Sequence, residues 1–116
     1  MDFRQILENI MDLDQGIRFA AIFDRFGTVK EKIQRAGTSL MMDEYDTENM
    51  LREEGSSWFH RKNLSNKIGK GHYSMTVYDK LVRITMPLDS DNFIIISLSE
   101  INEHPPVIKR IQEISW

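Results

Sequence analysis

Ile17-Arg18-Phe19-Ala20-Ala21-Ile22-Phe23-Asp24-Arg25-Phe26-Gly27 is the stretch on which the fold turns. Ile17, Phe19, Ala21 and Phe23 share one face of an extended chain, and Ala20 and Ile22 make the other face apolar too. A strand that is apolar on both faces belongs in the middle of a sheet. Asp24-Arg25-Phe26-Gly27 then reads as a turn in which Gly27 takes a positive φ. Thr28 to Gln34 follows, with Val29 and Ile33 on one face and Lys30, Lys32 and Gln34 on the other. That pattern predicts a second strand, in a hairpin with the first and nearer an edge. The helix-forming composition of residues 30–35 keeps a short helix open as the alternative.

On the N-terminal side, Phe3, Ile6, Leu7, Ile10 and Met11 form one apolar stripe at helical spacing. Asp2 and Gln5 stand at the spacing of a capping box. On the C-terminal side, Leu40 to Ile68 reads as a long helical region, either continuous or broken near Gly55-Ser56-Ser57. Its first half is acidic, from Asp43 to Glu54, and its second half carries Arg61, Lys62 and Lys67. That order complements a helix dipole, and Gly69 stands where a C-terminal cap belongs. Residues 72–98 read as three strands. Tyr73, Met75 and Val77 alternate with polar residues, Val82, Ile84 and Met86 do the same, and Phe93 to Leu98 is strongly β-prone. Asn102-Glu103-His104-Pro105-Pro106 opens a terminal helix with Val107, Ile108, Ile111 and Ile114 on its face.

The expected architecture is one α/β (α+β) domain over residues 1–116. It has a five-stranded antiparallel sheet with flanking helices in the order α-β-β-α-β-β-β-α. The chain has 116 residues, with 15 Lys plus Arg against 18 Asp plus Glu, a net charge of −3. It has no cysteine, which excludes a disulfide framework, thiolate metal sites and a cysteine nucleophile. The acidity makes nucleic acid an unexpected partner. The longest apolar run, Phe93 to Ile96, is too short to cross a membrane. Met1-Asp2-Phe3-Arg4-Gln5 lacks the features of a signal peptide, so a cytoplasmic protein is expected.

Chemistry-bearing motifs are few. His60, His72 and His104 are not at metal-ligand spacing, and no serine sits in a nucleophile-elbow pattern. Gly69-Lys70-Gly71-His72 lacks the length and the ending of a phosphate loop. No catalytic set, cofactor or metal is expected. Arg61, Lys62, Lys67, Lys70, Lys80 and Arg83 are opposed locally only by Asp79, whereas residues 43–54 are acidic. A solvated helix following its dipole explains this; an antiparallel pairing of two copies would also use it. Trp58 and Phe59 are adjacent on a helix, so one enters the core and the other lies exposed or at an interface.

The first helix, the Ile17–Phe23 strand, the Asp-x-x-Gly turn, the long central helix and the Tyr73–Leu98 meander together resemble the Roadblock/LC7 fold. This is a relative of profilin and longin domains. The likeness covers essentially the whole chain and extends to small archaeal proteins of this layout. The chain differs from typical members in lacking an Ala/Gly-rich central helix. The resemblance implies a non-enzymatic protein-interaction module, a homodimeric scaffold or regulator whose partners include small GTPases. Leu51, Trp58, Phe59 and Arg61 on the central helix are the interface residues expected on that reading. The alternative is a PAS- or profilin-like sensor with a small ligand between sheet and helix, lined by Phe19, Tyr73, Met75, Met86 and Phe93.

Overall fold

The computed structural model describes residues 2–38, 42–99, 109–111 and 113. The two-faced apolar strand is β1 (Ile17–Asp24), and it lies inside the sheet as its pattern requires. Five strands stand in the order β2-β1-β5-β4-β3, with every neighbouring pair antiparallel. The others are β2 (Val29–Gln34), β3 (Ser74–Val77), β4 (Val82–Pro87) and β5 (Asn92–Leu98). Residues 29–34 are therefore strand, not helix. Asp24 closes the turn by accepting from the amides of Phe26 and Thr28, and Gly27 sits at φ 84°. That turn returns the chain onto β1, and Ile33 comes to rest opposite Ala20 over the core.

Helix α1 (Phe3–Met11) covers one face of the sheet. Asp2 accepts from the Gln5 amide, but the Gln5 side chain bonds Asn9, so half of the capping box forms. Ile6, Leu7, Ile10 and Met11 meet Ala20, Ile22, Ile84, Met86, Ile94 and Ile96 in the larger core. Arg35 closes this end of the molecule by donating to the carbonyls of Met11, Asp14 and Ile17.

Helix α2 (Glu44–Asn63) covers the opposite face. It begins where the Asp43 carboxylate caps the amide of Asp46. It runs unbroken through Gly55, the continuous one of the two readings that the sequence leaves open. The glycine serves a close approach: a Cβ there would lie 2.6 Å from the Asp24 carbonyl oxygen and 2.7 Å from that of Arg25. Leu51, Gly55 and Trp58 are its buried residues, a narrow seam on an otherwise polar helix. After Leu64 comes the single turn α3 (Ser65–Ile68), ended by Gly69 at φ 92°. Strand β3 begins at Ser74, so His72 and Tyr73 precede it. The expected start of the helical region at Leu40 lies outside the described residues. So does the terminal helix, apart from a helical turn at 109–111 that buries Ile111. Among the described residues, no helix is long and apolar enough to cross a membrane.

Candidate functional site

Three segments converge at the end of the sheet where α2 finishes: the β1–β2 turn, the β4–β5 turn, and the 69–71 segment. The β1–β2 turn docks on α2 through two glycines. Gly55 admits its carbonyls, and a Cβ on Gly27 would lie 2.7 Å from the Arg52 nitrogen. The dock sets Arg25 between two rings, 4.6 Å from the centroid of Phe26 and 4.7 Å from that of Phe59. Phe26 is 65% exposed, so this stack presents an aromatic surface to solvent. The turn carboxylate is tuned by its role. Partial burial would raise Asp24, but amide bonds from Thr28 and Phe26, with Lys30 nearby, hold it below the usual carboxylate value.

Behind that surface, Trp58 stacks on Phe93 at 6.2 Å, and Phe93 meets Phe23 at 5.7 Å. The Trp58 Nε1–H donates to Thr85 Oγ1 at 2.8 Å, and the Thr85 hydroxyl donates to Glu54 at 3.2 Å. This chain of bonds satisfies the indole in the interior and fastens α2 to β4. Arg61 lies over the outer face of Trp58, 4.8 Å from the ring centroid. Lys62 Nζ donates to the Ser90 carbonyl at 2.8 Å and ties α2 to the β4–β5 turn. Asp89 shapes that turn by accepting from the amides of Asp91 and Asn92 and from the Asn92 side chain. Its burial would raise the carboxyl, and those bonds lower it further than burial raises it. Clefts open on either side of the Lys62–Ser90 bridge. One, of about 420 Å³, lies between Arg61, Lys70 and Leu88; the other, of about 660 Å³, lies between Phe3, Arg25 and Phe59.

The four expected interface residues separate by burial. Leu51 and Trp58 are 2% and 3% exposed, packed under α2 against Phe23, Phe93 and Ile95. They are core residues, and with the partly buried Met50 they supply the apolar side chains by which the helix holds this face of the sheet. Phe59 and Arg61 are half-buried and reach the surface. The expected sensor pocket does not assemble. Phe19 and Phe93 face α2, whereas Met86 faces α1 on the other side of the sheet. Alternation along β4 and β5 enforces this, since Met86 pairs with Ile94 and the next pair is Pro87 with Phe93. Tyr73 and Met75 stand apart from both, at the β3 end of the sheet, and are exposed.

That end of the sheet has its own character. Met75 and Val77 lie opposite Ile84 and Val82, on the α1 side, and are 40% and 60% exposed. Among the described residues no strand pairs with the outer side of β3. Strand β3 carries no charge and no proline, whereas β2 at the opposite edge carries Lys30, Glu31 and Lys32. Charge and proline are the usual guards of a free edge, so only one edge is guarded.

The Arg25–Phe26 contribution is invisible in sequence, where both read as turn residues. The exposed aromatic at the turn tip is the one signal that could have marked it.

No family model matches the sequence, and no curated protein matches it. The fold has clear counterparts among solved structures. The gliding protein MglB from Thermus thermophilus superposes with a TM-score of 0.70 at 12% identity, over 95% of this chain and 82% of that one. An MglB structure with a tetrameric arrangement gives 0.69 at 13% identity, over 95% and 82%. The Roadblock/LC7 domain from Streptomyces avermitilis gives 0.69 at 9% identity, over 96% and 89%. On the extent of these superpositions, the chain has the Roadblock/LC7 fold.

Proposed function

We propose that the chain is a non-enzymatic protein-interaction module of the cytoplasm, a homodimer that serves as scaffold or regulator of a small GTPase. The observation that carries the reading is the unguarded β3 edge, with Tyr73, Met75 and Val77 exposed beside it. An apolar edge of this kind is satisfied when a second copy adds its own β3 across a two-fold axis. The MglB counterpart with a tetrameric arrangement supports self-association as a use of this fold. The exposed side of α2 supports it as well, since an acidic first turn and a basic last turn complement each other in antiparallel copies. Phe59 and Arg61 are the helix residues left at the surface for a protein partner. The GTPase assignment rests on the Roadblock/LC7 likeness.

Hydrogen exchange at different concentrations tests the pairing. The amides of residues 74–77 should be protected in concentrated solution and lose that protection on dilution, while β5 amides stay protected throughout. Equal exchange of β3 at every concentration would contradict the paired edge.

A further inference from the structure

The cleft of about 420 Å³ beside Trp58 lies where α2 ends, next to the segment that leads into β3, and its charges are unbalanced. Arg61, Lys62 and Lys70 line it, with Asp89 as its one carboxylate. Asp89 is already engaged, since its oxygens accept from Asp91 and Asn92. Lys62 is engaged too, on the Ser90 carbonyl. Arg61 is not. Its guanidinium carbon lies 4.8 Å from the centre of the Trp58 ring, and its Nη1 is buried with no acceptor among the described residues. A guanidinium that lines a cleft and has no acceptor among the described residues is a ready donor for an anion there. The planar guanidinium fork suits two-point contact with a phosphate or carboxylate. Gly71 lies against the indole edge, 3.1 Å from Cζ3 to the Cβ it lacks, so the segment carrying Lys70 is seated over the same ring. Pro87 and Leu88 supply a half-buried apolar wall beside these cations.

We propose that this cleft binds a small organic anion, with one phosphate or carboxylate group on a compact apolar body. The anionic group takes hydrogen bonds from Arg61 and Lys70, and the apolar body lies against Pro87, Leu88 and the edge of Trp58. The volume suits a ligand of that size. The cleft shares Arg61 with the helix surface proposed above for a partner, but anion titration reads the cleft and molecular mass reads the pairing, so the two can fail separately.

The test uses the full chain carrying Trp116→Phe, so that Trp58 is its one tryptophan, titrated with phenyl phosphate, benzoate and inorganic phosphate. Phenyl phosphate should change Trp58 fluorescence saturably and bind at least about tenfold more tightly than inorganic phosphate. Benzoate distinguishes a carboxylate site from a phosphate site: saturation by either aromatic anion supports the proposal. Arg61→Gln and Lys70→Gln should each weaken binding about fivefold or more, whereas Arg110→Gln, on the α1 side, should leave it unchanged. Circular dichroism establishes that each variant is folded. The proposal is overturned by no saturable change up to about 10 mM of either aromatic anion, by equal affinity for inorganic phosphate, or by binding that a folded Arg61→Gln variant retains.

Discussion

Gly55 shows how a single residue can be ambiguous and then explain. In sequence it leaves open whether the helix breaks; in the structure it is the point where α2 touches the carbonyls of Asp24 and Arg25. Nothing local to residues 44–63 could have announced this, because the contact comes from a turn thirty residues earlier. Gly55→Ala should improve intrinsic helix propensity by roughly 1 kcal/mol and still destabilise the protein. The new Cβ would meet backbone on two sides, and overpacking of this kind costs about 1–3 kcal/mol. Chemical denaturation measures it, and a stabilised variant would refute the close dock. Asp24 and Asp89 add a pH dependence at the same scale. Both carboxyls are held below their ordinary value in the folded state, so the unfolded chain binds protons first as pH falls. Their contribution is therefore full above about pH 5 and is lost progressively below about pH 4. Asp24→Asn keeps an acceptor for the Phe26 and Thr28 amides but removes the titration. The acid limb of its stability profile should be shallower than that of the parent.

The elements differ in how clearly they were written. Strand β1 was legible because both of its faces are apolar, and α1 because its stripe repeats at three and four residues. Helix α2 was legible in existence but not in extent or orientation. It buries Leu51, Gly55 and Trp58 on a largely charged cylinder, so periodicity marks neither its ends nor its inward face. Trp58, one of the two aromatics that looked like interface candidates, is recruited inward for that reason, while Phe59 stays at the surface. Trp58→Ala should cost about 3–5 kcal/mol, and Leu51→Ala about 2–5 kcal/mol. Thr85→Val tests the polar part of the same anchor. It keeps the side-chain shape but strands the indole N–H and a Glu54 oxygen, for an expected loss of about 1–3 kcal/mol. A neutral Thr85→Val would show that the Trp58–Thr85–Glu54 bonds add nothing to packing.

At the scale of the molecule, the described residues form a sheet covered on both faces, with a charged edge at β2 and an uncharged, unpaired edge at β3, and the charge is divided as unevenly as the edges. The net −3 conceals an acidic first half of α2 and a basic cluster near its end. The sequence placed the basic residues along the chain, but only the fold separates them by task. Lys62 ties down a turn, Arg83 is buried beside Tyr78, and Arg61 waits over Trp58 without an acceptor. The sensor residues failed to meet for a reason of the same scale: a sheet divides its two faces absolutely, and sequence proximity does not show which face a distant strand shares. The β3 edge is the feature on which the functional account rests. Molecular mass in solution, by light scattering at about 100 μM, tests it most directly for the native chain and for Val77→Lys, a charge placed on an exposed side chain. The native chain should give about 27 kDa, twice its 13.7 kDa, and the variant should be a folded monomer. A native monomer at that concentration, or a Val77→Lys protein that remains dimeric, would contradict the paired edge.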